Sequence, residues 1–347
     1  MTHAAASASS FDFPVPTILG ANTPGERPYR GGEGIARFRG VMVPDEWRPE
    51  DFVGSTTEVF SGQGVGLSHL PDGELLRDAI ERDPVGWLGD DHVRRWGSDT
   101  RLLVKLLDTR ERLFVHFHPD AEFSKRQLHR DSGKTEAWII ASVDGEGEVW
   151  LGFNRDVTRS DVVEWFESQN TPAMLASMNR ITVKPGDALY VPASVPHAIG
   201  SGITLVELQQ PTDLSLILEW QGFNGLDHES ALLGLGINRA LGALDQDALS
   251  PDRLESLRSV RRGNNVEWPF PEAADEFFRA EVFDLAGPVL LDASFAILVI
   301  LSGFGSLSAA DLSFELAGGM TVIVPFAAGE IVLDGSLKVI RARPPKA

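Results

Sequence analysis

Arg112-Leu113-Phe114-Val115-His116-Phe117-His118-Pro119-Asp120 is the stretch whose reading decides how this chain folds. Alternate side chains of a β-strand share a face, so His116 and His118 project two imidazoles to one side while Phe117 points to the other. Leu113, Val115 and Phe117 alternate with Phe114, His116 and His118, so neither face is otherwise polar. A buried polar group without a partner costs roughly 1–3 kcal/mol, and both imidazoles need one. His-x-His alone is weak evidence, since a polar outer face bonded to water would also carry it. Two further donors lie downstream, Glu136 in Gly133-Lys134-Thr135-Glu136 and His197 in Val191-Pro192-Ala193-Ser194-Val195-Pro196-His197. Three imidazoles and one carboxylate make a metal set that suits zinc, iron, manganese or nickel.

Outward from this run the pattern is mostly β. Leu102 to Leu107, Ala137 to Ser142, Val149 to Leu151, Ile181 to Val183, Leu189 to Pro192 and Ile203 to Gln209 read as short strands between Gly, Pro and Asp turns. Helical spacing occurs at 72–82, stopped by Pro84, at 160–169 and 172–178, and through most of 230–260, where Ser250-Pro251 is a good N-cap and first-turn pair. The C-terminal part repeats the earlier one in degraded form. Gly186-Asp187-Ala188-Leu189-Tyr190-Val191-Pro192 aligns with Gly319-Met320-Thr321-Val322-Ile323-Val324-Pro325 at an offset of 133 (319 minus 186). That offset carries His197 onto Glu330, and no His-x-His precedes the second copy. A duplication with one chemically silent copy is expected: residues 1–225 with the metal site, a helical bridge over 226–265, and a second lobe over 266–347.

Composition narrows the function. A chain of 347 residues exceeds one ordinary core, and 43% hydrophobic content without a long apolar run fits a soluble protein that does not enter a membrane. The net charge of -19 repels nucleic acid and anionic membranes, so the expected partner is a small molecule. With no cysteine, and no basic start or apolar core of a signal peptide at Met1 to Ser10, the expected compartment is the cytoplasm, for a monomer or homodimer.

Gly186, Pro192 and His197, with Ser194 in place of a second Gly, resemble the second motif of cupins, and His116-x-His118 with Glu136 resembles the first. The fold this implies is mainly β, two cupin-type jelly-roll barrels with a helical insertion and bridge. Residues 121–133 would then be an insertion looping over the site. The resemblance tightens to the type I mannose-6-phosphate isomerase (phosphomannose isomerase) family in Leu103-Val104-Lys105-Leu106-Leu107-Asp108, Val115 to Asp120, Gly133 to Glu136, His197-Ala198-Ile199-Gly200 and Glu207-Leu208-Gln209-Gln210-x-x-Asp213. That resemblance covers about Leu102 to Asp213, and more faintly Gly329 to Arg343. It implies a metal-dependent aldose–ketose isomerase of mannose 6-phosphate or a close relative, with zinc held at the positions of His116, His118, Glu136 and His197. Lys134 and Glu207 would be catalytic.

Two departures stand out. The first ligand of the family, Gln, is His116 here, and the Arg that follows its Gln-Gln-x-x-Asp motif is Ile217. An apolar side chain supplies no charge to an enediolate or a phosphate. An isomerase of an unphosphorylated sugar, an iron or nickel cupin dioxygenase, and a non-catalytic sugar-binding protein are therefore the alternatives. Among the remaining residues, Asp120 is expected to cap the turn after Pro119, His129 to reach the site from the insertion, His69, His92 and His228 to lie on the surface, and Trp138 and Trp150 to be core or rim.

Overall fold

The computed structural model describes residues 13–347, so the expectation for Met1 to Ser10 falls outside the described residues. The first half contributes β1 (Thr17–Leu19), β2 (Glu50–Val53), β3 (Leu103–Asp108), β4 (His116–Phe117), β5 (Glu136–Val143), β6 (Glu148–Phe153), β7 (Met178–Thr182), β8 (Ala188–Val191), β9 (His197–Ile199), β10 (Ile203–Gln209) and β11 (Leu216–Ile217). The second contributes β12 (Arg261–Arg262), β13 (Val266–Trp268), β14 (Arg279–Ala286), β15 (Val289–Leu291), β16 (Ala296–Ala309), β17 (Leu312–Ala317), β18 (Thr321–Val324) and β19 (Ile331–Arg343).

Two five-stranded sheets, ordered β2-β3-β10-β5-β8 and β11-β4-β9-β6-β7, build the first lobe. Val104, Ile139 and Leu205 of one share a core with Val149, Leu151 and Ile199 of the other. The opposite face of the second sheet, through Val115, Phe117, Phe153 and Ala198, carries its own apolar cluster with the helices. Val162, Trp165 and Phe166 come from the helix Arg159–Ser168, which starts in a Thr158–Asp161 capping box. Leu232, Ile237, Leu241 and Leu244 belong to the same cluster, so part of the stretch read as a bridge covers the back of the sheet that carries the histidines. Ser250 caps Pro251–Ser256, accepting from the Arg253 amide, as its sequence indicates.

The second lobe is one nine-stranded sheet, β1-β18-β16-β19-β14-β13-β12, with β15 added on β19 and β17 on β16. The strand content and cupin-like order match expectation, but the sheets do not close into barrels. The long strands β16 and β19 pair along most of their length past a register shift between Ile300 and Ser302, which keeps the sheet continuous. The N-terminal β1 crosses from the first lobe and covers an edge by pairing Ile18 with Val322 of β18. No helix among the described residues is long and apolar enough to cross a membrane.

The internal repeat is real at the level of backbone. β8 and β18 occupy 188–191 and 321–324, the same offset of 133 (321 minus 188), and each follows a left-handed glycine, Gly186 at φ 91° and Gly319 at φ 90°. The insertion after His118 forms a short helix, Ala121–Phe123, capped by Asp120 with the Phe123 amide 2.7 Å away, and continues as a π-turn over Ser124–Leu128. Gly133 closes it, because a Cβ there would sit 2.4 Å from the Ala121 nitrogen.

Candidate metal centre

β4 pairs with β9 so that His116 lies directly across from His197. Pro119 then ends the ladder, since it has no amide to donate, and the His118 carbonyl accepts instead from Ser194 at 2.7 Å. Ser194 holds a left-handed backbone, φ 73°, at the place where the cupin motif has its second Gly. The three imidazoles meet: ring centroids are 4.1 Å apart for His116 and His197, 5.0 Å for His116 and His118, and 4.9 Å for His118 and His197.

Each ring has its Nδ1 beside a backbone carbonyl, of Phe114 at 3.0 Å for His116, Leu214 at 2.8 Å for His118 and Val195 at 2.9 Å for His197. An Nδ1–H that donates to a carbonyl leaves Nε2 as a lone-pair donor, the tautomer a metal needs. One potential ligand atom from each His lies within 4.8 Å of the others. Glu136, the first residue of β5, comes from the facing sheet, its carboxylate 3.0 Å from His118 Nε2 and 3.3 Å from His197 Nε2. His118 Nε2 and His197 Nε2 are buried, and neither has a hydrogen-bond partner other than this carboxylate. Such converging donors fit a divalent cation, and His116, His118, His197 and Glu136 would hold it.

Electrostatics support the same state. Burial, and then its two histidine neighbours, hold His116 neutral well below the usual imidazole range; burial and Lys134 push His118 down to about 3. Burial alone would raise Glu136, but Lys134 and His118 keep its carboxyl well below the usual range. Lys134 Nζ lies 3.0 Å from Glu136 Oε2, although Lys134 precedes β5 rather than sharing it. Trp138 is buried as read, and its indole also donates to Glu136 at 3.1 Å.

Glu207 lines the same cavity of ≈ 40 Å³ as His116, Lys134 and Glu136. Burial and the Glu136 charge push its carboxyl up to about 7. Beside it is an ion lattice that sequence reasoning missed. Lys105 Nζ sits 3.0 Å from Asp213, 3.6 Å from Glu50 and 4.0 Å from Glu207. Arg27 grips Asp213 with both terminal nitrogens at 3.0 and 3.1 Å and reaches Glu50 at 3.1 and 3.2 Å. The Tyr29 hydroxyl donates to Glu50 at 2.8 Å. A lone cation in the apolar run Leu102 to Leu107 was the available signal for Lys105; Arg27, in a loop, carried none. Asp213 is the hub of this lattice, held well below the usual carboxylate range because Arg27 and Lys105 outweigh burial.

His129 is exposed and lines neither this cavity nor the pocket outside it. His92 departs from its surface assignment: it is buried, with its ring against Trp96 and its Nε2 2.7 Å from the carbonyl of Asp99, just past the end of its helix, so the polar ring is satisfied without water.

The family described as "Mannose-6-phosphate isomerase, cupin domain" matches residues 268–344. Mannose-6-phosphate isomerase ManA of Bacillus subtilis is 27% identical over 314 residues, covering 89% of this chain and 93% of its own length. Mannose-6-phosphate isomerase of Streptococcus mutans is 26% identical over 320 residues, covering 89% and 93%. The chain is thus similar to mannose-6-phosphate isomerases along most of its length. Among solved structures, mannose 6-phosphate isomerase from Bacillus subtilis superposes with a TM-score of 0.70 at 21% identity, covering 95% of this chain and 100% of that one. A variant of phosphomannose isomerase from Salmonella typhimurium gives a TM-score of 0.75 at 16% identity over 96% and 100%. These two likenesses concern the fold. The region that matches the mannose-6-phosphate isomerase cupin domain is the second lobe here, the one without the histidine cluster.

Proposed function

We propose that the protein is a metal-dependent aldose–ketose isomerase of a mannose-type sugar, the reaction class named for its relatives. The observation that carries this reading is one cavity lined by His116 and Glu136 of the histidine–carboxylate cluster and by Glu207, a buried carboxyl pushed up to about 7. Zinc suits the donor set, and iron, manganese or nickel share it. A bound divalent ion would supply Lewis acidity to the sugar's carbonyl and adjacent hydroxyl oxygens.

The chain's own groups supply the rest. Isomerisation moves one proton between adjacent carbons and one between their oxygens. Glu207 takes the proton from the hydroxyl-bearing carbon; the C–H electron pair becomes the double bond of an enediolate, and Glu207 returns the proton to the former carbonyl carbon. Its elevated pKa serves both halves, because the carboxyl must accept and release a proton near neutrality. Lys134 is positioned to stabilise the enediolate oxygens and carry the oxygen-borne proton. Lys105 and Arg27 fix Glu50 and Asp213 around Glu207, so the base is held by charge from several sides. An oxygenase reading of the same ligands gives this base and its two lysines no task.

Conversion of mannose and of mannose 6-phosphate to the matching ketose, by zinc-loaded and by chelated protein, tests the proposal. Metal-dependent ketose formation from either sugar is the expected result. Failure with both, at full metal loading, refutes it.

A further inference from the structure

The substrate's far end is the next question, and its answer rests on the isomerase reading above. The metal cavity shares Arg27, Pro28, Phe114, Asp213 and Ser215 with an outer pocket of ≈ 540 Å³. Another hollow of ≈ 590 Å³, which holds Arg77, Arg101 and Arg130, shares Asp213 alone with the cavity. A sugar whose carbonyl end reaches the histidines therefore extends into the first pocket rather than the arginine-lined hollow.

That pocket is poor in usable positive charge. Among the described residues its one cationic lining residue is Arg27, whose guanidinium is already committed to Asp213 and Glu50. Releasing it for an anionic ligand would break its buried charge-assisted bonds and leave Asp213 and Glu50 to share Lys105 as their one remaining cation, a cost that offsets the new contact. Residues 1–12 contain no Lys or Arg that could be brought in. Ile217, Phe60, Phe114, Leu226 and Leu233 give the wall its apolar part, and Asp227 and Glu229 stand exposed at its rim. Asp227 stays ionised, its carboxylate accepting from the Ser230 amide and hydroxyl. A phosphate dianion entering here meets two carboxylates and no free cation, whereas sugar hydroxyls find acceptors in those carboxylates and apolar faces for their C–H edges.

We propose that this pocket receives the uncharged, hydroxyl-bearing end of an unphosphorylated sugar and discriminates against a phosphate there. The test is calorimetric binding of mannitol and of mannitol 6-phosphate to the zinc-loaded full chain, two compounds that cannot isomerise. Mannitol binding at least tenfold tighter is the expected result, and Glu229→Lys narrows that preference by threefold or more. Tighter binding of the phosphate overturns the proposal; if Arg130→Ala then abolishes it, the phosphate occupies the arginine-lined hollow instead. Binding of neither compound also overturns it. Turnover is scored separately on the same sample, so a protein that prefers mannitol yet converts neither mannose nor its phosphate refutes the isomerase reading and leaves the pocket's preference standing.

Discussion

The first lobe's β3-β10-β5-β8 and the second lobe's β14-β19-β16-β18 are the same antiparallel ladder built twice, and they differ most where they are most alike. In the first, Lys105 of β3 stands across from Glu207 of β10; in the second, Glu281 of β14 stands across from Arg341 of β19. The cross-strand charge pair is kept and its sign is reversed. Val191 of β8 pairs with Glu136, while its counterpart Val324 of β18 pairs with Ala296, so the ligand carboxylate is replaced by a methyl group. In the second lobe Arg341 turns to Asp292 at 2.6 Å, and Arg343 pairs with Glu281 and Asp292. The scaffold tolerates a buried ion pair at this rung in either polarity. Only in the first lobe does a carboxylate beside the histidines, Glu136, stand two rungs from this pair, on the same face of the sheet as Glu207.

The sharpest way to break this comparison is to remove a donor. His118→Ala should abolish stoichiometric metal binding, measured by elemental analysis, and lower kcat/KM by on the order of 10³-fold. Glu330→Ala, at the position His197 reaches by the repeat, should change neither, since Glu330 is exposed in the silent lobe. A metal lost from the Glu330 variant would mean that the two lobes are not chemically separate.

Glu207→Gln addresses the base. Loss of general-base catalysis should lower kcat by about 10²–10⁴-fold with metal content intact. The stability effect has the opposite sign. Glu207 has a folded pKa raised from 4.5 to about 7, so the native state holds this proton more tightly than the unfolded chain, and ionisation opposes folding as pH climbs between those values. The Gln variant, free of that ionisation, should therefore gain stability relative to the parent from pH 4.5 upward and level off above pH 7. Urea unfolding of chelated protein across that range checks it; a gain that grows towards low pH would contradict the assignment.

The inverted pairs themselves come next. Lys105→Met leaves Asp213, Glu50 and Glu207 short of a buried cation, and Arg341→Met leaves Glu281 with Arg343 alone. Removing one member of a buried pair costs roughly 3–5 kcal/mol, so both variants should lose comparable stability to denaturant. Only Lys105→Met should also depress kcat in the protein that remains folded, because only its pair adjoins the cavity. Equal loss of kcat from both would show that the second lobe steers the site from a distance.

How much of this was legible follows from the range of each interaction. The His116-x-His118 alternation, the helix caps at Asp120 and Ser250, and the twin Gly-to-Pro strands are local patterns, so sequence carries them directly. Glu136 lies beside His118 and His197 because β5, which begins at that residue, faces the histidine sheet. The lattice around Asp213 was not legible. Its members come from positions 27, 50, 105 and 213, each ordinary in its own neighbourhood, and they acquire meaning only when β2, β3 and β10 lie side by side. Open sheets rather than closed barrels escaped prediction for a similar reason. Whether an edge closes on itself or accepts β1 depends on a strand from the far end of the chain.

The twin glycines offer the finest test, because their backbone is the same and their surroundings are not. Gly186 and Gly319 each begin an equivalent strand at φ 91° and 90°, a conformation in which a side chain costs roughly 1–2 kcal/mol. Around Gly186 nothing lies within 4 Å of a built Cβ, so Gly186→Ala should show that backbone cost alone and keep full activity. At Gly319 the same atom would fall 2.0 Å from the Phe38 carbonyl oxygen, in the helix Gly34–Arg39. That contact cannot be relieved by a side-chain rotation. Gly319→Ala must displace either the turn or the helix, and should lose more stability than Gly186→Ala by thermal or urea unfolding. Equal losses would mean that the first lobe's helix yields freely to the second, and that the two lobes meet more loosely than Phe38 and Gly319 imply.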